Sequence, residues 1–309
     1  MATQGPHSLK KTVAKISCPW MRWPPTLGGN QFWTDQFHFR QFRIQKNVLN
    51  GCYRLLDGRN RLRRRGSYLS CRRALEEIRD TDQLADISER VLVLVHGLGR
   101  TAKSMEKLSG YFSDRGFLVV NFEYASTQGN LAEHAMAFHH VIQSLGSVPE
   151  LYFVGHSMGN IVFRKYLMDH VSKTNDPPWK ASVMLAPPSH GSYVARVLKP
   201  TLLFGLLLGR CALSLAGRGD QLSTELATPT HRFGIIAGKY NLNPLFRSDN
   251  DMVVSVSETR LLGAHDFKVL KGIHTTLMAQ PAVSSMIDRF FEFGFFETEG
   301  LRCPLHSGD

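Results

Sequence analysis

The sequence contains few cysteines and no close pair of them. Its 309 residues include an odd number, five, without CxxC spacing: Cys18, Cys52, Cys71, Cys211 and Cys303. Disulfide frameworks have even sets of cysteines, and zinc modules have closely paired ligands. We therefore expect free thiols in a reducing compartment and no bound metal.

Long hydrophobic runs are also missing. After Lys10, Lys11 and Lys15 the chain continues ISCPWMRWPP, in which prolines and an arginine interrupt the apolar region that a secretory signal peptide requires. The longest apolar stretch, residues 202–217, carries Arg210 in its middle and is shorter than the roughly 20 residues of a membrane-spanning helix. We expect no signal peptide and no transmembrane helix, and a location in the cytoplasm or at the periphery of a membrane.

Acidic residues are scarce in the N-terminal part alone. Residues 1–90 hold 17 Lys and Arg against 8 Asp and Glu, whereas the rest of the chain holds 20 against 18. This part is rich in aromatic residues and contains an arginine cluster at 59–65, followed by a helical pattern near 69–80. The cluster is typical either of a solvated, flexible arm or of a surface for nucleic acid or an anionic membrane. No nucleic-acid-binding motif accompanies it, which makes nucleic acid the less favoured partner.

From about residue 89 the sequence alternates short apolar runs with longer amphipathic segments. Apolar residues recur at helical spacing in 102–114, 130–145, 158–170 and 279–293. Uninterrupted apolar runs are typical of strands that are covered on both faces. They occur at VLVLV (91–95), FLVVNFEY (117–124), LYFV (151–154), ASVMLA (181–186), FGIIAG (233–238) and FKVL (267–270). The pattern predicts an α/β fold with a mostly parallel sheet.

A serine stands between two glycines where one of these runs ends and a helical pattern begins. The pentapeptide is Gly155-His156-Ser157-Met158-Gly159. A Gly-x-Ser-x-Gly turn between a strand and a helix holds the serine hydroxyl clear of the sheet, next to the helix N-terminus. The sequence therefore predicts a nucleophile at Ser157.

A serine nucleophile needs a histidine base and an acid that orients it. In parallel sheets such groups gather at the carboxyl ends of strands, and His274 follows the run at 267–270 by a short loop. Asp249 and Asp251 both follow the run at 233–238, and the residues alone leave the choice between them open. The order serine, aspartate, histidine is that of this strand–turn–helix chemistry.

A second motif lies at another strand end. VLVLV is followed by His96-Gly97-Leu98-Gly99. Backbone N–H groups at Leu98 and Met158 are therefore predicted to form an oxyanion hole.

Five segments together resemble an α/β-hydrolase of the small bacterial lipase and esterase kind. In chain order they are VLVHGLGR, FVGHSMGNIV, LAPPSHGS, DNDMVV and GIHTTL, and they span residues 91–277, about two-thirds of the chain. The resemblance implies an α/β-hydrolase fold with helices on both faces of the sheet. It also places an oxyanion donor at Leu98 and selects Asp251 over Asp249 as the acid.

The resemblance further suggests a lid. LAPPSHGS is similar to a segment that leads into the lid of many lipases, so the insert 191–230 is expected to form a lid or cap, with a buried core helix as the alternative. The expected substrate contacts are His96, His190 and Leu206. The expected divisions are a basic N-terminal extension (1–88), a hydrolase domain (89–298) and a C-terminal tail (299–309).

These features predict a serine carboxylester hydrolase that acts without cofactor or metal on a small-molecule or lipid ester. The alternatives are an acyltransferase that uses the same triad, or a non-catalytic scaffold with a hydrolase-like fold. A peripheral contact with anionic membranes through Arg59–Arg65 is a further expectation, and nucleic acid is not expected as a partner. The sequence does not indicate an oligomeric state.

Overall fold

A six-stranded parallel sheet forms the centre of the molecule. The computed structural model describes residues 29–172, 176–190, 226–240 and 249–306. The strand order is β6–β5–β7–β8–β9–β10. The strands are β5 (Val91–Val95), β6 (Leu118–Phe122), β7 (Leu151–His156), β8 (Trp179–Leu185), β9 (Arg232–Lys239) and β10 (Asp266–Lys271). All six predicted strands are confirmed, as is the α/β class.

Helices cover both faces of this sheet. Alternate residues of β5 belong to two separate apolar clusters, because successive side chains in a strand point to opposite faces. Helices α3 and α4 pack on one face through Phe138 and Phe163, and α2 and α5 pack on the other through Phe112 and Ile287. These helices are α2 (Glu106–Ser113), α3 (Leu131–Ser144), α4 (Met158–His170) and α5 (Pro281–Phe293). The four predicted helical segments are therefore confirmed.

The described part of the N-terminal segment forms a second, antiparallel sheet. Its strands lie in the order β1–β2–β3–β4, and the helix α1 packs against them. Ile44, Leu55, Cys71 and Leu75 are fully buried in the small core between sheet and helix. The elements are β1 (Trp33–Phe39), β2 (Phe42–Asn47), β3 (Tyr53–Leu56), β4 (Leu62–Gly66) and α1 (Tyr68–Thr81). The helix predicted near 69–80 is confirmed.

The arginine cluster at 59–65 is part of this sheet. A turn at Asp57 leads into β4, which pairs with β3 as the outer strand. The expectation of a flexible arm is wrong, because the backbone of the cluster is held by the ladder to β3. The arginine side chains themselves are exposed, as a solvated cluster should be.

Strand β1 binds the main sheet just beyond the end of β6. The Asp35 carboxylate is fully buried and accepts hydrogen bonds from His38 Nε2 at 2.9 Å, from Gln45 Nε2 at 2.8 Å and from the Glu123 N–H at 2.8 Å. The Asp35 N–H in turn donates to the Glu123 carbonyl at 2.9 Å. Buried polar groups of the two sheets therefore satisfy each other.

The cysteines differ from the expectation in one respect. Cys71 and Cys303 are free, but Cys52 is disulfide-bonded. The prediction of five free thiols is wrong for Cys52. The cysteines therefore no longer support the expectation of a reducing compartment.

Two further predictions concern the ends of the hydrolase region. Most of the predicted lid, residues 191–225 with Leu206, lies outside the described residues, so the lid stays a prediction. In the predicted tail, Glu299–Leu301 forms a single helical turn. Among the described residues, no helix is both long enough and apolar enough to cross a lipid bilayer.

Candidate active site

Ser157 occupies a strained turn between β7 and α4. Its backbone has φ 52° and ψ −122°, a region that residues with a side chain rarely adopt. The Ser157 N–H donates to the Leu185 carbonyl on β8 at 2.9 Å. The Ser157 carbonyl accepts hydrogen bonds from the Asn160 N–H at 3.0 Å and from Asn160 Nδ2 at 3.1 Å. Ser157 is partly exposed, so the turn presents a reachable hydroxyl at the carboxyl edge of the sheet.

Two glycines let the neighbouring loops approach this turn. A Cβ at Gly97 would lie 3.1 Å from Ser157 Cβ and 3.0 Å from His156 Nδ1. A Cβ at Gly159 would lie 2.5 Å from the Val95 carbonyl oxygen, closer than real Cβ contacts allow. Without side chains at both positions, the loop after β5 packs directly against the start of α4.

This contact places the loop that contains Leu98 next to the turn at Ser157. Leu98 follows Gly97, and Met158 is the first residue of α4, whose N-terminal end carries partial positive charge. The Leu98 N–H donates no hydrogen bond within the described ranges. An N–H group that has no hydrogen-bond acceptor within the protein and lies next to a nucleophile is suited to binding a ligand oxygen.

Asp251 and His274 form a buried pair. His274 Nδ1 lies 2.6 Å from Asp251 Oδ2, and the two residues are 6% and 0% exposed. The other carboxylate oxygen accepts the N–H groups of Val253 at 3.0 Å and Val254 at 2.7 Å. Because the carboxylate accepts the Nδ1 proton, Nε2 is left as the basic nitrogen of the ring.

Asp249 lies elsewhere. Its carboxylate forms an ion pair with Lys239 at 2.6 Å, and both side chains are about half exposed. The structure therefore brings Asp251 and not Asp249 into contact with His274.

His156 links the serine turn to His274. His156 Nε2 lies 2.9 Å from the His274 carbonyl oxygen, and the two ring centroids are 4.7 Å apart. A carbonyl accepts only, so Nε2 carries the proton. Burial lowers the pKa of His156 well below its usual range, and the neighbouring His274 acts in the same direction. The neutral ring therefore fixes the backbone of His274 beside Ser157.

No hydrogen bond joins the Ser157 hydroxyl to His274 within the described residues. Such bonds are often long or misaligned in ligand-free enzymes and tighten when substrate binds. The structure thus holds Asp251 and His274 in contact and places them next to the serine turn.

The three expected substrate contacts lie in different places. His96 is 0% exposed and stacks on Tyr124 with ring centroids 4.4 Å apart, and its role as a substrate contact stays a prediction. His96 Nδ1 lies 2.9 Å from the Gly97 carbonyl oxygen and supports the loop before Leu98. His190 is exposed at the last residue before the undescribed insert. Leu206 lies outside the described residues.

Sequence reasoning missed the residues that support this loop from behind. Glu123 Oε2 accepts the Ala102 N–H at 3.1 Å, and Oε1 lies 3.3 Å from His96 Nε2 without the alignment of a hydrogen bond. The Tyr124 hydroxyl donates to the His96 carbonyl at 2.8 Å. Glu123 and Tyr124 directly follow β6, which lies next to β5. This position at a strand end is the sequence feature that could have identified them.

A family model matches part of the chain. A family model described as an alpha/beta hydrolase of unknown function (DUF915) matches residues 106–196. No curated protein matches the chain.

Several solved structures are similar at low sequence identity. The mature lipase BlEst2 of Bacillus licheniformis has a TM-score of 0.48 and 16% identity, and the match covers 69% of this chain and 95% of the lipase. Phospholipase PlaB of Legionella pneumophila has a TM-score of 0.46 and 18% identity, with 55% and 45% covered. A thermophilic esterase of Thermogutta terrifontis has a TM-score of 0.46 and 14% identity, with 67% and 91% covered. The family model over residues 106–196, the parallel strand order and the strained turn at Ser157 all agree with an α/β-hydrolase fold.

Proposed function

We propose that this α/β-hydrolase is a serine carboxylester hydrolase that works through an acyl-enzyme on Ser157. The observation that carries the proposal is the buried contact of 2.6 Å between His274 Nδ1 and Asp251 Oδ2 at the edge where Ser157 lies. A buried carboxylate that fixes one tautomer of a histidine next to a strained serine is the arrangement that activates a hydroxyl.

In the proposed reaction, His274 Nε2 accepts the Ser157 proton while the hydroxyl oxygen attacks the ester carbonyl carbon. The Leu98 and Met158 N–H groups stabilise the oxyanion, and Asp251 stabilises the imidazolium that forms. The intermediate collapses by breaking the bond to the alcohol oxygen, which takes the proton from His274. Water then repeats these steps on the acyl-enzyme and releases the acid.

Four substitutions test the proposal on p-nitrophenyl esters of increasing chain length. Ser157→Ala and His274→Ala should each remove nearly all activity, because the members of a triad act as a unit. Asp251→Asn should lower kcat by about 10³- to 10⁴-fold, since an amide does not hold the required tautomer. The matched control, Asp249→Asn, should change kcat by less than about twofold because it removes an exposed ion pair. Circular dichroism should show that all four variants remain folded.

Two outcomes would contradict the proposal. A larger loss in Asp249→Asn than in Asp251→Asn would mean that the acid is wrongly assigned. Failure of a fluorophosphonate probe to label Ser157 in the folded wild-type chain would favour a non-catalytic scaffold. Adding competing alcohols and analysing the products distinguishes hydrolysis from acyl transfer.

A further inference from the structure

The outer edge of the N-terminal sheet carries a dense basic surface. We call it the basic edge and define it by β4, the turn before it and the start of α1. Its arginine side chains are all exposed: Arg59, Arg61, Arg63, Arg64, Arg65 and Arg73. Of these six, Arg63 alone has an acidic partner within the described ranges, Asp57, at the long distance of 3.8 Å. The net positive charge of this edge is therefore largely uncompensated.

Apolar side chains lie among these arginines. Leu62 is 53% exposed, Leu69 is 57% exposed and Tyr68 is 39% exposed. Arginines on an outer strand can simply prevent pairing with another chain. That role gives no reason to expose two leucines and a tyrosine beside them, whereas surfaces that bind the interfacial layer of a membrane combine these residue types.

A shallow depression of about 320 Å³ lies between β4 and α1. Its lining consists of Arg64, Arg73, Ser67 and Ser70, together with Leu69, Ala74 and one acidic residue, Glu77. Arg64 Nε donates to the Ser70 hydroxyl at 2.9 Å, which orients its guanidinium at this position. Two arginines and two hydroxyls are suitable donors for a phosphate group.

We propose that the basic edge binds the anionic surface of a lipid membrane. The arginines contact lipid phosphates, and Leu62, Tyr68 and Leu69 enter the interfacial layer. The exposed leucines favour a membrane over nucleic acid, which is bound through phosphate charge and base stacking. Such binding would bring the proposed esterase to lipid esters, but the basic edge would bind anionic lipid whether or not the chain hydrolyses esters.

Vesicle sedimentation tests this inference with the full-length chain. The probes are vesicles of phosphatidylcholine alone and of phosphatidylcholine mixed with phosphatidylglycerol. Wild-type protein should bind the mixed vesicles and not the vesicles of phosphatidylcholine, and added salt should weaken this binding. The variant Arg63→Gln/Arg64→Gln/Arg65→Gln should bind these vesicles about a hundredfold more weakly, because each arginine contributes about fivefold to the affinity. It should turn over a soluble ester at the wild-type rate.

Two matched variants separate position from total charge. The variant Arg115→Gln/Arg289→Gln/Arg302→Gln removes the same charge from exposed positions outside the basic edge, and it should bind like the wild type. The variant Leu62→Ser/Leu69→Ser keeps the charge and should bind about tenfold more weakly. Thermal melting should show that each variant folds.

Three results would overturn the inference: no sedimentation of wild-type protein with the mixed vesicles, equal binding by the two triple variants, or binding of an oligonucleotide in place of vesicles. Repeating the measurement on Ser157→Ala keeps it independent of catalysis. A chain that binds vesicles but hydrolyses no ester would contradict the proposed function and leave this inference intact.

Discussion

At the scale of single residues, Ser157 combines backbone strain with exposure. Its φ and ψ lie in a region that costs a residue with a side chain about 1–3 kcal/mol. The hydrogen bonds from its N–H to Leu185 and to its carbonyl from Asn160 hold this conformation. The turn that exposes the Ser157 hydroxyl therefore lowers the stability of the folded chain.

This strain predicts an unusual stability ranking of two variants that lack the hydroxyl. Ser157→Gly and Ser157→Ala both remove the hydroxyl, but only alanine keeps the Cβ that makes the backbone conformation unfavourable. We expect the glycine variant to be more stable by about 1 kcal/mol, even though glycine gains more entropy on unfolding. Thermal denaturation of the two variants under identical conditions measures the difference. A lower melting temperature for Ser157→Gly would mean that the turn is not strained in solution.

The residues of the candidate site differ in how far the sequence predicts them. Ser157 and His274 follow from their positions at strand ends, but Asp249 and Asp251 follow the same strand and the residue pattern alone does not separate them. Only the three-dimensional loop shows that one carboxylate faces His274 while the other faces Lys239. The contact between Asp35 and Glu123 was not predictable, because it joins two separate sheets and its partners are 88 positions apart in sequence.

At the scale of elements, burial decides which strands the sequence predicts. Strands of the central sheet are covered on both faces and therefore appear as continuous apolar runs, such as Val91–Val95. Strand β4 has the sequence LRRRG, and its first four side chains are exposed. Its conformation comes from pairing with β3 and not from its own side chains, so the pattern indicated an arm. The same pairing makes the charge of β4 part of an ordered surface.

Helix α3 gives a prediction about acid stability. Burial lowers the pKa of His134 to about 4 from its usual 6.5, and the nearby His96 adds to this effect. Between these two pH values the unfolded chain binds a proton on this ring and the folded chain does not. The free energy of unfolding should therefore fall as the pH is lowered from about 6.5 to about 4, by about 3 kcal/mol for this group.

His134→Asn is the test variant, because an amide donor does not titrate in this range. Urea denaturation at several pH values should give a flatter dependence for His134→Asn than for the wild type. The buried His156 and the partly buried His231 also have lowered pKa values and should preserve part of the slope. Parallel curves for the variant and the wild type would contradict the assignment to His134.

At the scale of the whole molecule, the two sheets share a buried polar joint. Burial alone would raise the pKa of Asp35, but the charges of His38 and Arg43 and the hydrogen bonds outweigh it and lower that pKa. The carboxylate binds the Glu123 N–H, and the Glu123 side chain binds the loop that follows Leu98. The N-terminal sheet therefore supports the candidate oxyanion loop through one intermediate residue.

Asp35→Asn should weaken both stability and ester turnover. The amide nitrogen would face groups that donate hydrogen bonds, which leaves buried donors without acceptors. We expect the free energy of unfolding to fall by about 3 kcal/mol and kcat to fall at temperatures where the variant is fully folded. Asp80→Asn, an exposed change on α1, is the control and should alter stability by less than about 0.5 kcal/mol. If the Asp35→Asn variant were destabilised but kept the wild-type kcat, the joint would have only a structural role.

The joint between the sheets also makes their separation observable. The Glu123 amide proton is bound by Asp35 Oδ2, and the Ala125 amide proton is bound by the Thr34 hydroxyl at 3.0 Å. Both acceptors belong to β1, so these two protons exchange with deuterium whenever the N-terminal sheet detaches, even while the central sheet stays folded. Their exchange rates relative to those of β5 amides report how often the molecule opens at this boundary, and therefore whether its two sheets unfold together or in succession.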